Sequence, residues 1–144
     1  MMMLDSDGDQ QRDHEGRVID FGRAAVDYER FRPGFPDTLF DRFVSEGWAT
    51  SGQRVLDLGT GTGTLALGLA ARGLEATGVD IAPELLDVAR GSAEDRALSA
   101  EFVERSAEAT GLDTSAYDVV TAGQCWWWFD EEAVLTEVER LLIV

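Results

Sequence analysis

Residues 57–63 read Asp-Leu-Gly-Thr-Gly-Thr-Gly, and they stand between two segments of opposite character. Before them, Arg54-Val55-Leu56-Asp57-Leu58 is a short run of β-forming residues. After them, Thr64 to Ala71 is a helix of leucine and alanine that ends at Gly73. A strand that runs through a glycine loop into a helix, with a second strand to follow, has the pattern of a βαβ unit, whose strands are parallel. The second strand is Leu74 to Val79, closed by Asp80. Pro83 suits the first turn of the next helix, which continues through Leu85, Leu86, Val88 and Ala89. Ala100 to Val103 then reads as a third strand and Tyr117 to Thr121 as a fourth. A last helix spans Asp130 to Leu142, with Asp130 as N-cap, acids in its first turn and Val134, Leu135, Val138, Leu141 and Leu142 on one face. The alternation predicts an α/β fold with a parallel sheet.

The chain has 144 residues, room for one domain. Its net charge of −16 opposes a nucleic-acid backbone or an anionic membrane as partner. A hydrophobic content of 44% permits a packed core. One cysteine, Cys125, cannot form an intrachain disulfide, and no apolar run is long enough to span a bilayer, so the expected setting is the cytoplasm. All 12 basic residues are arginine, which excludes a lysine Schiff base or ammonium base. Residues 1–20 hold six acids and read as a disordered acidic tail, which leaves His14, the only histidine, poorly placed for catalysis or metal binding. Residues 21–52 read as an N-terminal helical cap. Its first helix covers Gly22 to Phe31 and is stopped by Arg32-Pro33-Gly34; its second opens at Pro36 with Leu39, Phe40, Phe43 and Val44 as its apolar face.

In an open parallel sheet, ligands bind beyond the carboxyl ends of the strands, where strand order reverses. There the glycines let the backbone turn tightly and approach a ligand closely, and the next helix points free N–H groups at the same place. Asp80, 17 residues beyond Gly63, can accept hydrogen bonds from both hydroxyls of a ribose. Together these features predict a nucleoside-containing ligand. The glycines run Gly-x-Gly-x-Gly, whereas the dinucleotide fingerprint is Gly-x-Gly-x-x-Gly; the residue three after Gly61 is Thr64.

On these residues the chain resembles the class I S-adenosylmethionine-dependent methyltransferases that act on small molecules. VLDLGTGTGTLALGLA is similar to their first motif and GVDIAPELLDVAR to their second. FVERSAEATGL is similar to their third, YDVVTAGQCWWWFD to the segment at and after their fourth strand, and YERFRPGFP to their cap helix. The resemblance implies a Rossmann-like sheet of order 3-2-1-4 over residues 53–144, with S-adenosyl-L-methionine as cofactor. It implies that Gly59, Thr60, Gly61 and Gly63 line the methionine half and that Asp57 orients this loop. Asp80 would hold the ribose with Ile81 beside it, and Ser106 and Ala107 would meet the adenine edge. Gln124 would stand by the sulfonium, and Tyr28 and Arg32 would close over the cofactor. Relatives often carry Asp at the position of Ser106 and His at that of Trp127.

The implied reaction is an in-line methyl transfer to a small-molecule acceptor, in which alignment does most of the work, so no triad or metal cluster is needed. No catalytic base is identified. Two other readings stand beside it, a non-catalytic binder of S-adenosylmethionine or its demethylated product and a nicotinamide-dependent oxidoreductase. The run Trp126-Trp127-Trp128-Phe129 reads first as core packing, but four aromatics in succession cannot all point inward, so one is expected to line a pocket. Cys125 reads as a small buried filler. Class I domains usually continue past the last helix into a Pro-Gly turn and three more strands. The expected sheet is therefore incomplete, with Tyr117–Thr121 as an exposed apolar edge open to self-association.

Overall fold

The computed structural model describes residues 34–123 and 125–143, together with the backbone of 3–4, 11–12 and 18–19. Within the expected tail, β1 (Met3–Leu4), β2 (Gln11–Arg12) and β3 (Val18–Ile19) pair antiparallel in that order. The first cap helix, with Tyr28 and Arg32, lies outside the described residues, as does Gln124.

The main sheet has four parallel strands: β4 (Arg54–Leu58), β5 (Glu75–Asp80), β6 (Ala100–Glu104) and β7 (Val119–Thr121). Their order is β6-β5-β4-β7, the expected 3-2-1-4. Strand order therefore reverses at β4, which places the carboxyl end of that strand, and the glycine loop leaving it, at the switch point.

Helices cover both faces of the sheet. Helix α2 (Thr64–Ala70) and α3 (Pro83–Asp95) put Leu65, Leu67, Leu69, Leu86, Ala89 and Ala93 against Val55, Ala76 and Phe102. Helix α4 (Glu131–Leu141) puts Val134 and Leu141 against Leu56, Leu58 and Val79 on the other side. Alternate residues of β4 thus feed two cores, which is why this strand reads as apolar almost throughout. Each fully buried Val or Leu here contributes about 1.5–3 kcal/mol relative to exposure.

Helix α1 (Asp37–Ser45) belongs to the cap and packs on the first core through buried Phe40 and half-buried Phe43. Phe40 is buried over Gly68, where any Cβ would fall within 2.6 Å of the ring. The expected four-residue apolar face is narrower than the sequence suggests. Val44 is exposed, while Phe43 packs at the margin of the core and also meets the Trp48 ring at 5.7 Å.

The expected edge strand also differs. Tyr117 is buried and does not belong to β7. Its N–H donates to Leu141 and its carbonyl accepts from the Ile143 N–H, so the chain leaving α4 covers that end of the edge. Val119, Val120 and Thr121 are half-buried rather than bare. Among the described residues, no helix is long and apolar enough to cross a membrane.

Candidate functional site

The loop after β4 is held open by its own glycines and closed onto β5 by hydrogen bonds. Gly59, Gly61 and Gly63 have φ of 62°, 58° and 81°, the left-handed region that a side chain disfavours. Thr60 N–H donates to the Val79 carbonyl at 2.9 Å, and Gly63 N–H to the Thr60 carbonyl at 2.9 Å. Gly63 is the N-cap of α2 and carries no side chain to bond the first-turn N–H groups.

Close approach explains two of these glycines, although the neighbour is protein. A Cβ on Gly59 would come within 2.8 Å of Cys125 Sγ and 3.1 Å of Phe129. One on Gly63 would meet the Phe102 ring at 2.9 Å and the Ala89 methyl at 3.0 Å. Gly63 is thus required by packing of the loop on β6 and α3. A further glycine, Gly78 on β5, clears space for the Thr60 side chain, whose Oγ1 would lie 2.5 Å from a Cβ there.

Asp80 ends β5 and turns toward the loop. Its Oδ2 accepts from the Gly61 N–H at 2.9 Å, while Oδ1 accepts from the Ala82 N–H at 2.9 Å at the start of α3. Sequence reasoning leaves this carboxylate free for a ligand; it is already anchored to both neighbours. Each oxygen still has lone-pair capacity, so anchoring orients the group without using it up. Burial pushes its pKa above the ordinary value, against the pull of the Ala82, Gly61 and Ile81 N–H groups. Ile81 follows with 42% of its surface exposed, an unusual position for an isoleucine.

Asp57 lies beneath the loop on β4 and is almost fully buried. It accepts from Thr121 Oγ1 on β7 at 2.7 Å. Burial pushes its pKa up to about 6; the Thr121 hydroxyl and, less well aligned, the Thr60 hydroxyl pull it down, and the Asp80 charge adds a further push upward. Thr60 Oγ1 makes no hydrogen bond of ordinary geometry although it is buried.

The β6 side joins through the backbone. Arg105 N–H donates to the Asp80 carbonyl at 3.0 Å, which brings Ser106 to the same end of the sheet. Ser106 donates from Oγ to Glu108 Oε2 at 2.6 Å, and the Ala107 side chain is buried in the α4-side core. On the β7 side, Cys125 is half-buried, not fully, and donates from Sγ to the Leu58 carbonyl at 3.3 Å. The aromatic run forms a 3₁₀ turn, Trp126–Trp128. Trp126 and Phe129 meet edge to face at 6.0 Å against the core, while Trp127 is 64% exposed with Trp128 tilted beside it. Packing therefore accounts for Trp126 and Phe129, while Trp128 is half-buried and Trp127 alone of the run is exposed.

Asp57, Gly59, Thr60, Gly61, Gly63, Asp80, Ile81, Ser106 and Ala107 are thus gathered at one end of the sheet. Thr121, Glu108 and Gly78 carry no sequence signal of their own; Thr121 bonds Asp57 64 residues away, Gly78 faces Thr60 across the sheet, and Glu108 joins nearby Ser106 to Asp130, 22 residues on. Among the described residues, no group of three or more His, Cys, Asp or Glu could hold a metal ion.

Residues 55–143 match the family described as a methyltransferase domain. The chain belongs to this family. Its fold and motifs are those of the class I S-adenosylmethionine-dependent methyltransferases. An uncharacterised methyltransferase of Mycobacterium tuberculosis is 37% identical over 124 residues, 86% of this chain and 48% of that protein. The demethylmenaquinone methyltransferase of Thermus thermophilus is 44% identical over 93 residues, 62% of this chain and 42% of that one. The chain therefore spans about half the length of the curated relatives it matches. A solved structure from Methanococcus maripaludis, described as a candidate S-adenosyl-L-methionine-dependent methyltransferase, shares the fold with a TM-score of 0.76 at 19% identity, covering 86% of this chain and 60% of that one.

The residues present fit the cofactor that the family implies. The loop is a left-handed glycine turn at a helix N-terminus. Asp80 is an oriented acceptor with spare lone pairs at the carboxyl end of β5, and Asp57 is a buried acid whose charged form a nearby cation would favour.

Proposed function

We propose that the chain binds S-adenosylmethionine at the carboxyl ends of β4, β5 and β6 and serves transfer of its methyl group to a small-molecule acceptor. The observation that carries this is the Asp80 carboxylate, hydrogen-bonded to Gly61 of the loop and backed by the Arg105 bond that delivers Ser106. When bound, the cofactor supplies an electrophilic methyl carbon on a sulfonium. The chain's own residues have the remaining tasks. Asp80, with Ile81 beside it, holds the ribose hydroxyls; the Ser106–Ala107 turn meets the base; and the Gly59–Gly63 loop accommodates the methionine half. Asp57 fixes the loop from below. Gln124, Tyr28 and Arg32 complete the same reading as the sulfonium neighbour and the closing cap.

Holding two reactants in near-attack geometry can supply about 7–11 kcal/mol of a barrier, so orientation is the main task asked of this site. For the acceptor, the Thermus thermophilus relative is named for demethylmenaquinone, and the exposed Trp127 indole, in the turn between Cys125 and Phe129 that abut Gly59, favours a flat or cationic small molecule. A net charge of −16 disfavours a polyanionic acceptor.

The test is calorimetry with S-adenosylmethionine and with NAD, followed by incubation with methyl-labelled cofactor and a metabolite extract. The expected result is binding of S-adenosylmethionine, none of NAD, and label in a small molecule. Binding without transfer of label would make the chain a cofactor binder, and preference for NAD would overturn the reading.

A further inference from the structure

The turn after β6 contains a hydrogen-bond relay that neither the family nor the proposed reaction requires. Ser106 has one hydroxyl proton, and it is given to Glu108 Oε2 at 2.6 Å, within the range of charge-assisted O–H···O⁻ bonds. The other carboxylate oxygen, Oε1, accepts the Asp130 N–H at 3.0 Å, at the N-cap of α4. Glu108 N–H returns to Ser106 Oγ at 3.3 Å, and the Ser106–Ala109 bridge closes the turn. With both oxygens of Glu108 engaged, the carboxylate ties its own turn to Asp130, 22 residues further along the chain.

A free serine hydroxyl rotates and can donate or accept as its partner demands. At Ser106 that freedom is lost, because a carboxylate accepts only. The remaining lone pair on Oγ can serve a ligand solely as an acceptor. We propose that Glu108 is a positioning residue that fixes the polarity of Ser106, so that the site selects a 6-amino purine cofactor over its 6-oxo counterpart. This rests on the reading that the pocket takes an adenosyl cofactor with its base at Ser106. A 6-amino group donates to the fixed lone pair, whereas a 6-oxo group sets oxygen against oxygen with no proton between them. Leaving such a pair unmade is worth about tenfold in affinity or more.

Glu108→Gln reverses the relay. The glutamine carbonyl can keep the Asp130 N–H while its amide donates to Ser106 Oγ, which turns the serine proton outward. The experiment compares affinities for S-adenosylhomocysteine and S-inosylhomocysteine in the unaltered chain, Glu108→Gln, Ser106→Ala and the double variant Ser106→Asp with Glu108→Gln. The expected ratio favours adenosyl by about tenfold or more in the unaltered chain. It collapses or inverts in Glu108→Gln, falls in Ser106→Ala through loss of adenosyl affinity alone, and returns in the double variant, whose aspartate again only accepts. A merely structural role for Glu108 would weaken both ligands equally, so an unchanged ratio in Glu108→Gln overturns the proposal while the cofactor reading stands. Failure of the unaltered chain to bind S-adenosylhomocysteine overturns both. Should Glu108→Gln not fold, as judged by its thermal transition, the ratio in Ser106→Ala decides alone, and an unchanged value there overturns the proposal.

Discussion

Asp57 is a buried acid whose burial makes stability depend on pH. Its pKa rises from 3.8 to about 6, chiefly because burial disfavours the charge. Between those values the folded chain holds a proton that the unfolded chain has released. Stability from this group is therefore greatest at low pH, falls as pH rises through that window, and stays low above about pH 6. The cost above the window is on the order of 3 kcal/mol. Asp57→Asn keeps an acceptor for Thr121 and removes the titration. It should raise stability at pH 8 by about 1–3 kcal/mol and abolish this component of the decline between pH 4 and 6, as read from denaturant midpoints. The same variant should bind S-adenosylmethionine about tenfold more weakly, since the charge that a cationic ligand would favour is gone. An unchanged pH slope would show that Asp57 does not carry the proton. That an acid precedes the glycines was legible in the sequence; that it lies beneath the loop was not, because its partner Thr121 is 64 residues away.

At the scale of elements, α4 does more than cover the sheet. Glu137, buried on its inner side, accepts the Thr110 N–H at 2.7 Å and pairs with Arg140 one turn on. Arg140 in turn donates to the Leu112 carbonyl at 2.7 Å and to Thr114 Oγ1 at 2.9 Å. The helix thereby pins the loop that carries Ser106 and Glu108. Burial would raise the Glu137 pKa, but the Arg140 hydrogen bond and charge and the Thr110 N–H outweigh it and hold the value below 4.5. This contribution is present above pH 4.5 and lost as pH falls through the lowered value, opposite in sign to that of Asp57. Glu137→Ala leaves the buried Thr110 N–H without its acceptor and the half-buried Arg140 guanidinium without its carboxylate. It should cost on the order of 2–3 kcal/mol in denaturation and raise amide exchange across residues 110–114. Exchange confined to α4 would show that the loop is held by something else. The α4 cap was legible, since Asp130 is the N-cap and accepts from Ala133 at 3.2 Å. The ties from α4 to residues 108–114 have no periodic signature, and β7 begins two residues later than its apolar run because Tyr117 pairs with the chain leaving α4. Val44 departs from its apolar face for a related reason, as helix α1 docks through the Phe40 ring over Gly68 with Phe43 beside it and leaves Val44 exposed.

Across the whole molecule, the features that sequence revealed are those built from neighbours in the chain: strand, glycine turn, helix and terminal acid. Those it missed are contacts between elements, where Gly59 abuts Cys125 and Phe129, Gly63 abuts Phe102 and Gly78 yields to Thr60. The proposed cofactor site is where both kinds meet, at the carboxyl ends of the strands around the reversal of order. The central claim is that an oriented Asp80 holds a ribose there. It is tested most directly by calorimetric titration of the unaltered chain with S-adenosylhomocysteine and with its 2′-deoxyribose counterpart. Saturable binding of the first, and roughly ten- to hundredfold weaker binding of the second, is the predicted result for loss of a hydrogen bond to a carboxylate. Equal affinities, or no binding of S-adenosylhomocysteine at all, would contradict it.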